Sequence, residues 1–142
     1  MIHNISYRTF VYGTEDEEKV TDAISYIFPN LLPEKTITED HFGNDIIILS
    51  EKITKKRHNR DFIKFFNENL SNSDKEIIKN ELSRRMDEKG NFFLRFDKQE
   101  AYNRNLKLTY SGNAIHARIK IASYPVSKEN ALKVAYKLFD FL

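Results

Sequence analysis

Apolar and polar side chains alternate without interruption between residues 115 and 121. The first set contains Ile115, Ala117, Ile119 and Ile121, and the second contains His116, Arg118 and Lys120. A period of two places the two sets on opposite faces of a β-strand. The chain therefore needs a sheet with one apolar face for the core and one polar, basic face. Antiparallel sheets commonly have one buried and one solvated face, so the pattern favours an antiparallel sheet.

Other segments also have strand character, because they alternate or are short, apolar and bounded by turn residues. The predicted strands are residues 4–11, Glu34–Asp40, Asp45–Ser50 and Phe92–Asp97, with a further strand marked by Leu106, Leu108 and Tyr110. Glycines and prolines lie between these segments, where they are expected to form turns.

Helices are predicted where a capping residue precedes apolar residues at helical spacing. Thr14 with Glu17 and Ser73 with Glu76 each fit a capping box, and Ser127 is expected to cap the closing helix. A basic helix is predicted over about Thr54–Leu70, and the helix after Ser73 runs to about Asp87. The predicted fold class is α+β: a single domain over residues 1–142, with a largely antiparallel sheet and helices packed mainly on one face.

Composition excludes several classes of protein. The sequence contains no cysteine, so it has neither disulfides nor thiolate metal ligands. Its first residues lack the pattern of a signal peptide, and no apolar stretch approaches the length of a membrane span, so a cytoplasmic location is expected. Residues 1–50 hold three basic and nine acidic residues, whereas residues 51–142 hold 20 and 12. Such a basic region is one feature of nucleic-acid-binding proteins.

Motifs for catalysis are few. The four histidines have no metal-ligand spacing, and the sequence has neither a glycine-rich phosphate loop nor a nucleophile elbow. Asp97 and Glu100 flank Lys98 and could form a nuclease site, but such short groupings are common by chance. We therefore expect a protein that is not an enzyme and that needs no cofactor and no metal.

A basic run at the start of the predicted helix is the first candidate for binding. It consists of Lys52, Lys55, Lys56, Arg57, His58 and Arg60. On a helix, residues 52, 56 and 60 would form one stripe, which could contact successive phosphates. The alternative is the solvated face of an amphipathic helix, and the sequence leaves the two interpretations about equal.

The polar face of the sheet is the second candidate. The strands place on it Arg8, Phe93, Arg95, Lys107, His116, Arg118 and Lys120, with Asp97 as the one acid of the set. A solvated face with aromatic and basic residues can stack bases and hold phosphates. Alternatively, a helix or a partner chain covers part of this face. The adjacent Phe92 and Phe93 suggest that their strand is buried on both sides.

The third candidate is the segment His41-Phe42-Gly43-Asn44 between two predicted strands. Gly43 permits a backbone conformation that other residues disfavour, and Asn44 can hydrogen-bond within its own turn. From chemistry alone, a tight structural turn is favoured over a binding loop.

Three blocks of the sequence together resemble the archaeal RNA-binding family called predicted exosome subunits. They are the segment 11–20, the segment 41–44 with the apolar strand after it, and the segment 86–101, which contains Met86-Asp87-Glu88 and Phe93-Leu94-Arg95-Phe96-Asp97-Lys98-Gln99. The resemblance implies an α+β fold similar to the ribosomal protein that contacts 5S RNA. It also implies RNA binding without an established enzymatic activity, and it adds His41, Asn44, Lys98 and Gln99 to the candidate RNA contacts.

The sequence thus predicts a non-catalytic RNA-binding protein associated with RNA processing or degradation. RNA is the expected partner, with exosome or ribosome-associated proteins as further candidates. The alternative is a protein-interaction or assembly factor in RNA processing or translation that does not touch RNA. RNA preference and oligomeric state are not predicted.

Overall fold

The sheet contains strands from both ends of the chain. The computed structural model describes residues 1–28 and 32–142. Its strands are β1 (Ile2–Val11), β2 (Glu34–Glu39), β3 (Asp45–Ile53), β4 (Asn91–Phe96) and β5 (Ile115–Ile121). They are ordered β2-β3-β1-β5-β4, and every neighbouring pair is antiparallel. The expected single-domain α+β fold with an antiparallel sheet is confirmed, and β1 lies at its centre.

Register separates the two faces of the sheet. Tyr7 pairs with Ala117, which pairs with Leu94, and all three side chains are buried. Ser6 pairs with Arg118, which pairs with Phe93, and these side chains are exposed or half-buried. Residues directly opposite each other in an antiparallel pair share a face. We call the face that carries Arg118 the open face.

The helices are α1 (Glu17–Ile27), α2 (Lys56–Asn69), α3 (Asn72–Arg85), α4 (Lys98–Tyr102) and α5 (Lys128–Leu138). Aromatic rings link the sheet to this helical layer. Phe28 stacks on Tyr7 of β1, with ring centroids 4.7 Å apart, and on Phe62 of α2 at 5.2 Å. Phe66 contacts Phe139, just after α5, at 5.4 Å. Burying a phenylalanine contributes about 1.5–3 kcal/mol, so these rings hold α2 and α5 against the sheet.

Two helix caps differ from the prediction. Asp16, not Thr14, caps α1 and accepts a hydrogen bond from the backbone of Glu18. Ser71, not Ser73, caps α3 and accepts from the backbone of Asp74. Each predicted residue lies two positions from the observed one, because several residues that can cap a helix occur close together. Ser127 caps α5 as predicted.

Three further features differ from the prediction: one boundary, one strand and one helix. The basic helix begins at Lys56, since β3 continues to Ile53 as it pairs with β1 up to Ile5. Residues 106–110 form a single bridge, between Phe96 and Leu108, instead of a strand. The sequence prediction also missed α4, whose N-cap is Asp97.

The same five-residue turn occurs twice, over Asp40–Asn44 and Asp87–Asn91. In each turn the aspartate accepts hydrogen bonds from the backbone nitrogens two and four residues later and from the asparagine side chain. The glycine before the asparagine has a positive φ, 78° at Gly43 and 81° at Gly90. Only glycine adopts such a conformation without a steric cost. The first turn joins β2 to β3, and the second leads from the end of α3 into β4.

Within residues 1–28 and 32–142, no helix combines the length and the apolar character needed to cross a bilayer.

Candidate nucleic-acid interface

Basic residues from three neighbouring strands line up across the open face. Arg8 of β1 pairs with His116 of β5, which pairs with Arg95 of β4. A second line lies two residues further along each strand. Here Ser6 of β1 pairs with Lys52 of β3 on one side and with Arg118 of β5 on the other, and Arg118 pairs with Phe93 of β4. Neighbouring strands lie about 4.8 Å apart, and residues two apart on one strand about 6.8 Å. The two lines therefore place four cations and a histidine within a compact area.

Acidic residues are scarce on this face. In the strands that the structure describes, Glu34 on the outer strand β2 is the acid whose register places it on the open face, opposite Ser50. Asp97 was expected there as well. It lies just beyond β4 instead, where its carboxylate accepts a hydrogen bond from the backbone of Glu100 and caps α4. The open face therefore carries a positive field around β1, β5 and β4.

Three cations on the open face are positioned by hydrogen bonds that use little of their donor capacity. Arg95 donates to the carbonyl oxygen of Tyr110 at 3.2 Å, and Arg118 lies 3.4 Å from the hydroxyl of Ser6. Lys120 donates to the carbonyl oxygen of Lys89. A guanidinium has five N–H donors, so these contacts orient the two arginines and leave donors for an anion.

Aromatic groups lie among these cations. Phe93 is 45% exposed, although Phe92 beside it is fully buried. The prediction that their strand is buried on both sides was therefore wrong, because β4 is solvated on the open face. Phe10 lies on the same face, with the guanidinium carbon of Arg8 5.5 Å from its ring centre. Exposed rings next to guanidinium groups are the side chains that stack on bases in proteins that bind single strands.

Helix α2 presents a second basic surface. Lys55 is its N-cap, and Lys56, Arg57 and Arg60 are exposed, because Phe62 and Phe66 occupy the buried side. Lys52, which the sequence had placed in the same stripe, belongs instead to β3 and the open face. The stripe on α2 consists of Lys56, Arg60 and Lys64. Lys64 was missed, although its spacing of four residues from Arg60 was a usable signal.

Two candidates lie in the turn between β2 and β3. His41 is exposed near its tip. Asn44 is engaged inside the turn, since its side chain donates to Asp40 at 3.2 Å. The hydrogen bond from the backbone of Asn44 has the largest effect on Asp40 and lowers its pKa. The hydrogen bonds from the backbone of Phe42 and the side chain of Asn44 act in the same direction. The geometry fits the structural turn that the sequence favoured, and it does not bring these residues into the lines of cations on the open face.

Lys98 and Gln99 have different environments on α4. Gln99 is exposed, whereas Lys98 is only 9% exposed. The ammonium of Lys98 donates to the carbonyl oxygen of Phe10 at 2.6 Å, to Asn113 at 2.5 Å and to Glu15 at 3.1 Å. Burial lowers the pKa of Lys98, and the Glu15 carboxylate acts in the opposite direction. Lys98 therefore joins β1 to α4 inside the protein, contrary to its predicted place among the RNA contacts.

The acids of the suspected nuclease motif have structural partners. Asp97 caps α4, and Glu100 accepts a hydrogen bond from the side chain of Asn105 at 2.6 Å. In the part of the chain that the structure describes, no group of three His, Cys, Asp or Glu side chains is arranged to hold a metal ion.

The fold and this surface define a class of protein: a single-domain α+β module that presents one basic, partly aromatic face of an antiparallel sheet. Comparison with known proteins assigns the chain to a family. A family model described as RNA binding matches residues 4–121, so the chain belongs to this RNA-binding family.

Similar proteins occur in archaea. The RNA-binding protein PAB1135 of Pyrococcus abyssi is 36% identical over 137 residues, which cover 92% of this chain and 89% of that protein. The structure of Mth689, a DUF54 protein from Methanothermobacter thermautotrophicus, superposes with a TM-score of 0.86. It is 40% identical, and the match covers 98% of each chain. The predicted similarity to the ribosomal protein that contacts 5S RNA stays a prediction.

Proposed function

We propose that this protein binds RNA without cleaving it, and that the open face is the main contact. The observation that carries the proposal is the alignment of Arg8, His116 and Arg95 across three strands, with Arg118 and Phe93 in the adjacent line. The cations would neutralise phosphates, and Phe93 would stack on a base. Membership of the RNA-binding family and the similarity to the RNA-binding protein of Pyrococcus abyssi support the same function.

A salt series with matched triple variants tests this contact. The open-face variant has alanine in place of Arg8, Arg95 and Arg118. The control variant has alanine in place of three exposed lysines on other surfaces, Lys79, Lys133 and Lys137. Each lost phosphate contact on a single strand lowers the slope of log affinity against log salt by about 0.7. The open-face variant should lose about two units of slope, whereas the control should keep the slope of the unmodified protein.

The result also decides between RNA and a protein partner. RNA binding by the unmodified chain should weaken steeply between about 50 and 200 mM salt. If both triple variants fold and bind RNA with equal slopes, the open face is not the RNA contact. If the unmodified chain itself binds no RNA, the assembly-factor interpretation replaces this proposal.

We propose in addition that the bound RNA is a substrate of RNA processing or degradation. The support is the resemblance to predicted exosome subunits. The test is purification of the tagged protein from its native cells, with and without ribonuclease treatment of the lysate. Exosome subunits that remain after ribonuclease treatment would indicate a direct contact, and their loss would indicate an RNA bridge. Their absence from both samples would remove the exosome from the proposal.

The absence of catalysis is tested directly. Purified protein should leave RNA intact in the presence of Mg²⁺ or Mn²⁺. Cleavage that disappears in an Asp97→Ala variant would refute the proposed non-enzymatic role.

A further inference from the structure

A cavity of about 550 Å³ lies outside the open face, between α2, the start of β1 and the end of α5. We call it the α2 cavity. Lys56, Arg60 and Lys64 line it at intervals of four residues along one side of the helix, and all three side chains are exposed. Such a stripe can hold an anion, but a stripe of lysine and arginine alone does not define a ligand.

Asn59 adds an unusual feature to the wall of this cavity. The residue is 3% exposed, and neither the nitrogen nor the oxygen of its amide has a hydrogen-bond partner among the described residues. Asn67, two turns later, also lines the cavity, and its amide oxygen likewise lacks a partner there. A buried polar group without a partner destabilises a fold. A ligand that supplied the missing donor and acceptor would offset this cost at Asn59.

The remaining lining narrows the ligand chemistry. Ile2, Ile63 and Leu138 provide apolar surface, which can contact the flat face of a base. Glu68 and Asp140 also line the cavity, and two carboxylates oppose the binding of a bare phosphate. An asparagine amide can pair with a base edge through one donated and one accepted hydrogen bond, as it does with adenine. A nucleotide combines a flat apolar face, a hydrogen-bonding edge and an anion, which match the apolar side chains, the amide and the basic stripe. Its ribose hydroxyls can donate hydrogen bonds to the two carboxylates, which bare phosphate cannot do.

We propose that the α2 cavity holds one unpaired nucleotide of the bound RNA. Neither polar atom of the Asn59 amide is accessible to solvent in this structure, so the amide would turn toward the cavity to pair with the base. The phosphate would lie against Lys56, Arg60 and Lys64. RNA-binding proteins commonly accept unstacked bases from single-stranded regions, whereas a base inside a duplex is not available. The claim that the nucleotide belongs to an RNA rests on the proposed function above. The claim that the cavity binds a nucleotide does not depend on it.

The first experiment uses free ligands. The four ribonucleoside 5′-monophosphates and inorganic phosphate are titrated into the protein, and backbone amide signals are followed by NMR. At least one nucleotide should shift the signals of residues 59–64 at lower concentration than phosphate does. The Asn59→Leu variant should bind that nucleotide about tenfold more weakly. An Asn69→Leu variant, changed at an exposed position of the same helix, is the matched control and should bind normally.

Thermal melting separates recognition from a structural role. Replacing an unpartnered buried amide by a hydrocarbon of similar volume removes a desolvation cost, so Asn59→Leu should raise Tm. A structural asparagine would give a lower Tm instead. The inference fails if phosphate shifts the cavity signals as strongly as every nucleotide does, if those signals do not move, or if Asn59→Leu binds nucleotides normally.

The second experiment identifies the source of the nucleotide. A single-stranded RNA and a blunt-ended duplex are compared. Asn59→Leu should weaken binding of the single strand about tenfold and leave the duplex unaffected, whereas the triple open-face variant should weaken both. If Asn59→Leu affects free nucleotides but not the single strand, RNA as the source is refuted and the cavity serves a free nucleotide. If it weakens the single strand while the open-face variant binds normally, the cavity stands and the open-face proposal fails.

Discussion

Replacing the two turn glycines by alanine should give unequal losses of stability. Gly43 and Gly90 occupy the same position of the repeated turn, with φ values of 78° and 81°. An alanine in this left-handed region costs about 1 kcal/mol at either site. A Cβ at Gly43 would meet nothing within 4 Å, so Gly43→Ala should lower the free energy of unfolding by about 1 kcal/mol.

Gly90 has a second constraint, because its backbone lies against β5. A Cβ there would be 3.3 Å from the carbonyl oxygen of Ile121 and 3.5 Å from the Cβ of Ala131. The backbone cannot easily move away, since the nitrogen of Ile121 donates to the carbonyl oxygen of Gly90 at 2.9 Å. Overpacking costs about 1–3 kcal/mol, so Gly90→Ala should lose about 2–4 kcal/mol in total.

Urea denaturation of the two variants, with circular dichroism to confirm native structure, measures the difference. Each variant is the other's control, because turn type, hydrogen bonds and φ are shared. Equal losses would show that the contact with β5 is relieved at no cost. A larger loss for Gly43→Ala would refute the reasoning altogether.

The remaining predictions concern buried charge and acid sensitivity. Lys98→Met should lower the free energy of unfolding by about 2 kcal/mol, less than for a fully buried pair because Glu15 is partly solvated. In a Glu15→Gln background the same substitution should cost less in urea melts, and equal costs would refute the coupling. Hydrogen bonds to Asp40 lower its pKa; at Asp87 burial works against the shift, but the hydrogen bonds from Asn91 and Lys89 outweigh it. Groups with a depressed pKa stabilise the fold above the unfolded value of about 3.9, so stability should fall as the pH drops below about 4. Between pH 5 and pH 3, the free energy of unfolding of an Asp87→Asn variant should fall by less than that of the unmodified protein. An identical fall would show that Asp87 does not contribute to the acid sensitivity.

The sequence predicted those features that a local pattern defines. The alternation around Arg118 gave both the strand and its solvated face, and Ser127 was correctly predicted as a cap. Lys52 was assigned to a helix because its place in β3 depends on pairing with Ser6, a residue far away in sequence. Lys98 looked like a surface lysine because none of the oxygens that bind its ammonium lies near it in the chain.

Asn59 shows a different limit of the sequence prediction. It precedes Phe62 and Ile63 by three and four residues, so helical spacing places it on the buried side of α2. The basic run around it nevertheless suggested solvent. A polar residue at a core position of a helix is therefore a pattern that can be searched for, whereas the cavity beside it depends on where Met1 and Leu138 come to lie in the fold.

The strand order determines when the open face can exist during synthesis. Arg8 and His116 are direct neighbours in the sheet, yet more than a hundred residues separate them in the chain. Closing so long a loop has a high entropic cost, and folds with distant pairings form slowly. When β1 emerges from the ribosome, its two edges have no paired strand until β3 follows, and β5 arrives only after β4 and α4. A truncated product that lacks β5 cannot assemble the central lines of cations, so RNA contact at this face would be limited to chains whose translation has passed β5.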